Sequence, residues 1–364
     1  MKQSPFYTAF LDQVARLGGY HNAHLHIDRA NTLDFKKNFG HLSLSQKHGL
    51  ISAVHQSPFY EHASLQTRIN HVLDVMVACQ TKRADSVIDV TADGLGLLAL
   101  NCANDVAAAR ASQIDFRTAA YSPLGFRDDA PERWALIEQG AEIADFLGCL
   151  PERDDRTDYP DHIGYRECCR RMLDLARQAD KDVQVHVDQV NHPNENGTER
   201  LLDVIETERL GFGTATAPKI WAVHMISPTC YPQSRWDELV DRLRKANIGV
   251  ICCPSAALGM RQLRGMLAPT GNSIARVLEL CAAGVPVRLG SDNLADMLSP
   301  STTANLTDEV FVLSAALRFY DIPILAKLAT GTPFSQEDKD RLKEHLDEND
   351  MEAAKALRRW GPVG

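Results

Sequence analysis

The chain has 364 residues, 44% of them hydrophobic and 24% charged, with a formal net charge of −9. That size and balance fit one large soluble α/β domain with a sizeable core. The acidic excess argues against a nucleic-acid partner, and no apolar run approaches the ~18 residues that would span a membrane.

In chain order, the first strand is expected within Gly19–Ile27 and a helix at Leu65–Arg83. Strand and helix then alternate: Ser86–Val90, Ala103–Gln113, Phe116–Tyr121, Pro131–Ala141, Ala144–Cys149, Tyr165–Ala179, Val183–Val187 and Glu199–Glu208. The series closes with Ile220–His224, Arg235–Ala246, Ile248–Cys252, Ser273–Ala283 and Val285–Leu289. Short β-branched runs alternating with longer amphipathic stretches predict βα units and a parallel sheet. Eight strands predict an α/β fold of the (β/α)8 TIM-like barrel type. An open doubly wound sheet is the alternative. It is disfavoured because Gly94-Leu95-Gly96 lacks the third glycine of a dinucleotide loop and there is no P-loop. Phe334–Leu357 is charged and helical, so residues 335–364 read as a C-terminal helical extension and a possible oligomer contact. The chain as a whole, 1–364, reads as a single domain.

Met1 is not followed by a basic stretch and an apolar segment, so no secretory signal is read. The nine cysteines are odd in number and lack Cys-x-x-Cys spacing, which fits reduced thiols in the cytoplasm.

Side chains at the C-terminal ends of barrel strands converge on one face. The first strand ends in His24-Leu25-His26-Ile27-Asp28, whose two histidines, two apart, can both point inward. Later strands end in His186-Val187-Asp188, Val223-His224 and Ser291-Asp292-Asn293. Isolated histidines are usually buried, hydrogen-bonded core residues. A set that converges from four strand ends instead suits one divalent ion, zinc or ferrous iron, with a position left open for water. Such an ion brings the pKa of a bound water toward neutrality and yields a hydroxide nucleophile.

These segments, with Phe146-Leu147-Gly148-Cys149-Leu150-Pro151, His186-Val187-Asp188-Gln189 and Asp296, resemble the amidohydrolase superfamily. Within it they are similar to the cytosine-deaminase-like branch of mononuclear metal deaminases. The resemblance covers most of residues 20–300. It implies that His24, His26, His186 and Asp292 hold the metal. It also implies that His224 steadies the attacking water and that Asp292 accepts its proton. The implied activity is hydrolysis of a C–N bond, chiefly deamination of a small nitrogen heterocycle.

The chain departs from the branch in three places. Gln189 stands where the branch has a proton-shuttling glutamate, and an amide cannot carry a proton at pH 7. Asp188, Glu195 or Glu199 is the expected substitute for that work, with Asp292 acting alone as the alternative. For Gln189 to enter the site the chain must turn at Asp188, because an extended strand would give Asp188 the face of His186. The stretch Tyr121-Ser122-Pro123-Leu124 carries leucine where cytosine deaminases read the pyrimidine with glutamine. The chain is expected to lack the β-sandwich that usually flanks these barrels. Compact adenosine deaminases also lack it, but their His-Ala-Gly-Glu motif is missing here.

Asn293, Asp296 and Arg29 are candidate substrate contacts, weighed against a helix cap or loop anchor for Asp296 and a surface ion pair for Arg29. Asn196 or Thr198 is expected to cap the helix that follows. Met260-Arg261-Gln262 is read as lining the mouth of the site or, equally, as packing a loop; the remaining histidines are given no role, most of them reading as solvated. The expected partner is a small-molecule substrate. Hydrolysis of a cyclic amide is the near alternative, favoured by Gln189. A barrel that binds a small molecule or metal without turnover is the alternative from another class.

Overall fold

The computed structural model describes residues 4–33, 42, 44–211, 217–260 and 273–360. Eight strands form one parallel sheet in sequence order: β1 (Tyr20–Leu25), β2 (Thr81–Asp89), β3 (Asp115–Tyr121), β4 (Phe146–Cys149), β5 (Val183–Val187), β6 (Ile220–His224), β7 (Ile248–Cys252) and β8 (Val287–Leu289). This is the expected (β/α)8 barrel. The seam between β8 and β1 closes just beyond β8. Asp292 N donates to His24 O at 3.0 Å, and His26 N donates to Asp292 O at 3.3 Å. No second sheet occurs among the described residues.

Gly290 makes that closure possible. A Cβ there would lie 2.7 Å from His24 O and 2.8 Å from His24 Cβ, so only glycine lets the two strands meet. Asn22 and Ser291 lock the same seam, with Ser291 N donating to Asn22 Oδ1 at 3.1 Å.

The covering helices bury one stripe each. Tyr165–Gln178 buries Tyr165, Cys168, Cys169, Met172, Leu173 and Ala176, the spacing of a single helical face. Inside the barrel, Trp221 and Val223 pack with Ala23 and Ile251, while Ile220 and Ala222 join the helix-facing core. That alternation is the pleat of β6.

Several expected boundaries move. The helix expected over Leu65–Arg83 is His62–Ala78, and β2 begins at Thr81 rather than Ser86. Gln80 adopts a left-handed backbone (φ 71°) that ends the helical run. The polar start of β2 hides its strand character, since Arg83 pairs with Asp85 at the rim. The helix expected from Ser273 begins at Val277. Pro5–Arg16, Leu306–Leu317 and Ile322–Thr330 were not anticipated. The first is capped by Ser4 and buries Tyr7, Phe10 and Val14. It packs on Ile322–Thr330, which in turn covers β1 and β8. The C-terminal extension is the helix Gln336–Trp360, and it lies against Val277–Ala283.

Candidate metal centre

His24, His26, His186, His224 and Asp292 meet at the C-terminal end of the barrel, all of them buried. The ligand atoms of His24, His186 and His224 lie within 4.8 Å of one another, as do those of His24, His26 and Asp292. His24 Nε2 is 3.1 Å from His186 Nε2 and 3.6 Å from Asp292 Oδ1, and His26 Nε2 is 3.3 Å from the same oxygen.

The backbone bends to achieve this. β1 shifts register between Asn22 and Leu25, so a bulge across Ala23 and His24 departs from strict alternation at the first of the two histidines. His224 follows the inward-facing Val223 and would point outward on a straight strand. Its left-handed backbone (φ 82°) returns the ring to the centre. Asp292 has φ 62° for the same purpose. Left-handed backbone at non-glycine residues is costly and concentrates at functional sites.

The outer ring nitrogens fix which atoms face inward. His24 Nδ1 donates to Gln184 Oε1 at 2.6 Å, and His186 Nδ1 donates to Cys149 O at 3.1 Å. Both acceptors lack hydrogens, so a neutral ring in each case turns a lone pair at Nε2 toward the other. Burial holds the His186 pKa well below the usual imidazole range and lowers those of His26 and His224 to about 4. At pH 7 these three rings are therefore uncharged. For Asp292 burial works against the charge, but the close approach of the His24, His26 and His224 rings holds its pKa well below the carboxylate norm. Nitrogen and oxygen lone pairs thus converge on one point.

The donor set fits a metal. Two ligands 2.0–2.1 Å from one tetrahedral ion stand roughly 3.3 Å apart, close to the 3.1 Å and 3.3 Å separations seen here.

A cavity of about 470 Å³ opens over this centre, lined among others by Tyr121, Gln189, His224, Asp292 and Asn293. The other expected site residues take different positions. Asp188 turns with a left-handed backbone (φ 58°), as Gln189 required. Its carboxylate accepts from Gly197 N, Thr198 N at 2.9 Å and the Thr198 hydroxyl. Asp188 therefore caps the helix Gly197–Glu208 from a distance, whereas the expected side-chain cap from Asn196 is absent. Glu195 is half-buried and accepts from Val190 N at 2.9 Å and from the Ser227 hydroxyl. Burial pushes its pKa up to about 7. Glu199 pairs with Arg235.

Asp296 anchors a loop, accepting Leu298 N at 2.8 Å and Ser299 N at 2.9 Å. Arg29 does line the cavity, but it is buried and bidentate to Asp89 at 2.6 and 2.7 Å, so it is not a surface pair. Met260 lines the mouth, while Arg261 and Gln262 lie outside the described residues.

Sequence reasoning missed Tyr121 and His48 in the cavity wall, Glu152 behind Gln189 and Gln184 beneath His24. It also gave His21 and His55 no role. Both are buried, His21 against Asp85 at 2.7 Å and His55 between Asp89 at 3.0 Å and Asp93 at 2.8 Å.

No protein-family model matches the chain. A curated Haemophilus influenzae protein described as uncharacterized is 28% identical over 256 residues, 69% of this chain and 86% of that one. Among solved structures, 5-methylcytosine deaminase from Klebsiella pneumoniae aligns with a TM-score of 0.73 at 20% identity, covering 89% of this chain and 74% of that one. N-isopropylammelide isopropylaminohydrolase from Burkholderia multivorans aligns at 0.67 and 16% identity, covering 86% and 73%. The chain thus shares the barrel fold of hydrolases that act on C–N bonds of nitrogen heterocycles.

Proposed function

We propose that this protein is a metal-dependent hydrolase of the amidohydrolase superfamily, cytosine-deaminase-like branch. It cleaves a C–N bond of a small nitrogen heterocycle, with ammonia or an amine leaving. The observation that carries the reading is the 3.1 Å approach of the His24 and His186 Nε2 atoms. With both Nδ1 atoms donating elsewhere, two lone pairs oppose each other in a buried site. A cation between them turns that repulsion into ligation.

His24, His26, His186 and Asp292 hold one divalent ion, Zn²⁺ or Fe²⁺. When bound, the ion supplies an activated water at neutral pH. Asp292 stays ionised and accepts the proton of the attacking water. His224 faces the cavity and steadies the oxygen on which charge develops. Tyr121 and Leu150 wall the cavity and limit water around the substrate. Asp188 acts through the fold, and Asp296 by anchoring the loop that carries Leu298 and Ser299.

The likeness to the two solved hydrolases supports the same class of reaction. No described helix is long and apolar enough to cross a membrane. The working partner is a small molecule.

Release of ammonia or amine from a panel of heterocyclic amines and amides tests the reading. Turnover is expected with the wild-type protein, and a loss of at least a hundredfold in His24→Ala and Asp292→Asn. Stoichiometric metal with no turnover on any member would make the barrel a binding module instead.

A further inference from the structure

The left-handed turn at Asp188 delivers the next side chain, Gln189, to the cavity wall, where it is 5% exposed. Its Nε2 donates to Glu152 Oε2 at 2.9 Å, and Asp188 N donates to Glu152 Oε1 at 2.7 Å. Burial and the nearby Glu195 and Asp188 carboxylates push the Glu152 pKa up, and one N–H donor reaches each of its oxygens. That contact sets the orientation of the amide. The nitrogen of Gln189 faces Glu152. Its carbonyl oxygen has no hydrogen bond among the described residues, at the wall of the cavity.

Asn293 repeats the pattern in the same wall. Its Nδ2 donates to Asp292 Oδ1 at 3.1 Å, and its Oδ1 is buried without a partner among the described residues. Both carboxamides have their donor tied to a carboxylate and their acceptor left over. The Asn293 acceptor is buried and unpaired, which is costly, and a bound N–H removes the cost. A bare ring nitrogen, which brings a lone pair to a lone pair, makes it worse.

We infer that Gln189 and Asn293 are specificity-determining acceptors, and that the cavity selects rings in lactam form, with an N–H beside the carbon attacked, over amidine-type rings with a bare nitrogen there. Glu152 is the positioning residue that keeps the Gln189 carbonyl turned inward. It lines a neighbouring cavity that shares Leu150 and Val190 with the main one. This assignment rests on the proposed function and deepens it. It also explains why the site works without a glutamate at position 189, since a lactam ring already carries the hydrogen that such a glutamate would deliver.

The test is calorimetric binding of two matched probe pairs to the zinc-loaded protein at pH 8: uracil against cytosine, and hypoxanthine against adenine. The lactam member of at least one pair is expected to bind about tenfold or more tightly than its amidine partner. Gln189→Leu is expected to bring the ratio to within about threefold. Glu152→Gln, which frees the Gln189 amide to turn, is expected to lower it with the metal content unchanged. Equal affinities, a preference for the amidine rings, absence of binding by both pairs, or an undiminished ratio in Gln189→Leu would each overturn the inference. A protein that hydrolyses amidine rings with bound metal contradicts this inference alone. A protein that takes up no metal contradicts the proposed function.

Discussion

Gln184 on β5 holds His24 on β1 in one tautomer. Its Nε2 donates to Ala23 O at 2.8 Å, which leaves Oε1 to accept from His24 Nδ1 at 2.6 Å. The anchored amide leaves His24 no choice but to turn its Nε2 lone pair inward. Hydrogen bonds behind metal-binding imidazoles typically govern affinity by about 10–100-fold. Gln184→Leu is therefore expected to weaken zinc binding by that order in competition with a chelator. Gln184→Glu, which keeps an acceptor there, is expected to restore it. An unchanged affinity in Gln184→Leu would remove Gln184 from the account.

Barrel closure and metal binding share Gly290. A methyl group at this position collides with the backbone of His24, and the seam has no flexible side chain to yield. Gly290→Ala is expected to cost about 1–3 kcal/mol, the usual range for overpacking. It should also lower metal content, because β1 and β8 carry ligands on either side of the collision. Urea unfolding and metal analysis of the same preparation check both effects.

His55 gives stability a pH dependence unrelated to the metal. Burial opposes its charge, but hydrogen bonds to Asp89 and Asp93 outweigh burial and raise its pKa to about 9. The folded-state value lies above the ordinary ~6.5 of an unfolded chain. The stabilisation is therefore complete below about pH 6.5 and is lost as pH rises through 9. A shift of that size corresponds to about 3 kcal/mol. His55→Gln should be less stable than wild type at pH 6, with the gap closing by pH 10. Unfolding midpoints that differ equally at both pH values would refute the charged state.

Asp188 is a structural residue in this account. Its carboxylate satisfies the first amides of Gly197–Glu208 and the Thr198 hydroxyl. Asp188→Ala should cost about 1–2 kcal/mol, the range for a lost N-cap, and leave metal stoichiometry intact. Turnover lost in Asp188→Asn with stability unchanged would return to Asp188 the catalytic role considered from the sequence.

The sequence made the barrel legible because each strand core is a short β-branched run and each covering helix a single apolar stripe. The metal-binding candidates were legible because each follows such a run. Residues that depend on register were hidden. Glu152 sits in the short helical turn Pro151–Asp154 after β4, and nothing local shows that it reaches Gln189 across β5. Gln184 looks like an ordinary polar position in a strand until β5 is placed opposite Ala23 and His24. Asp188 misled because spacing alone cannot show a left-handed turn. His55 and Asp89 are 34 residues apart, and only the packed fold joins them.

The most direct test is metal titration of the stripped protein with simultaneous assay of C–N hydrolysis. Zinc or ferrous iron should bind at one equivalent per chain, and turnover should rise in proportion up to that point and then level off. Asp292→Asn should neither bind at that affinity nor turn over. A wild-type protein that binds no divalent ion, or whose hydrolysis is indifferent to it, would contradict the assignment of this site.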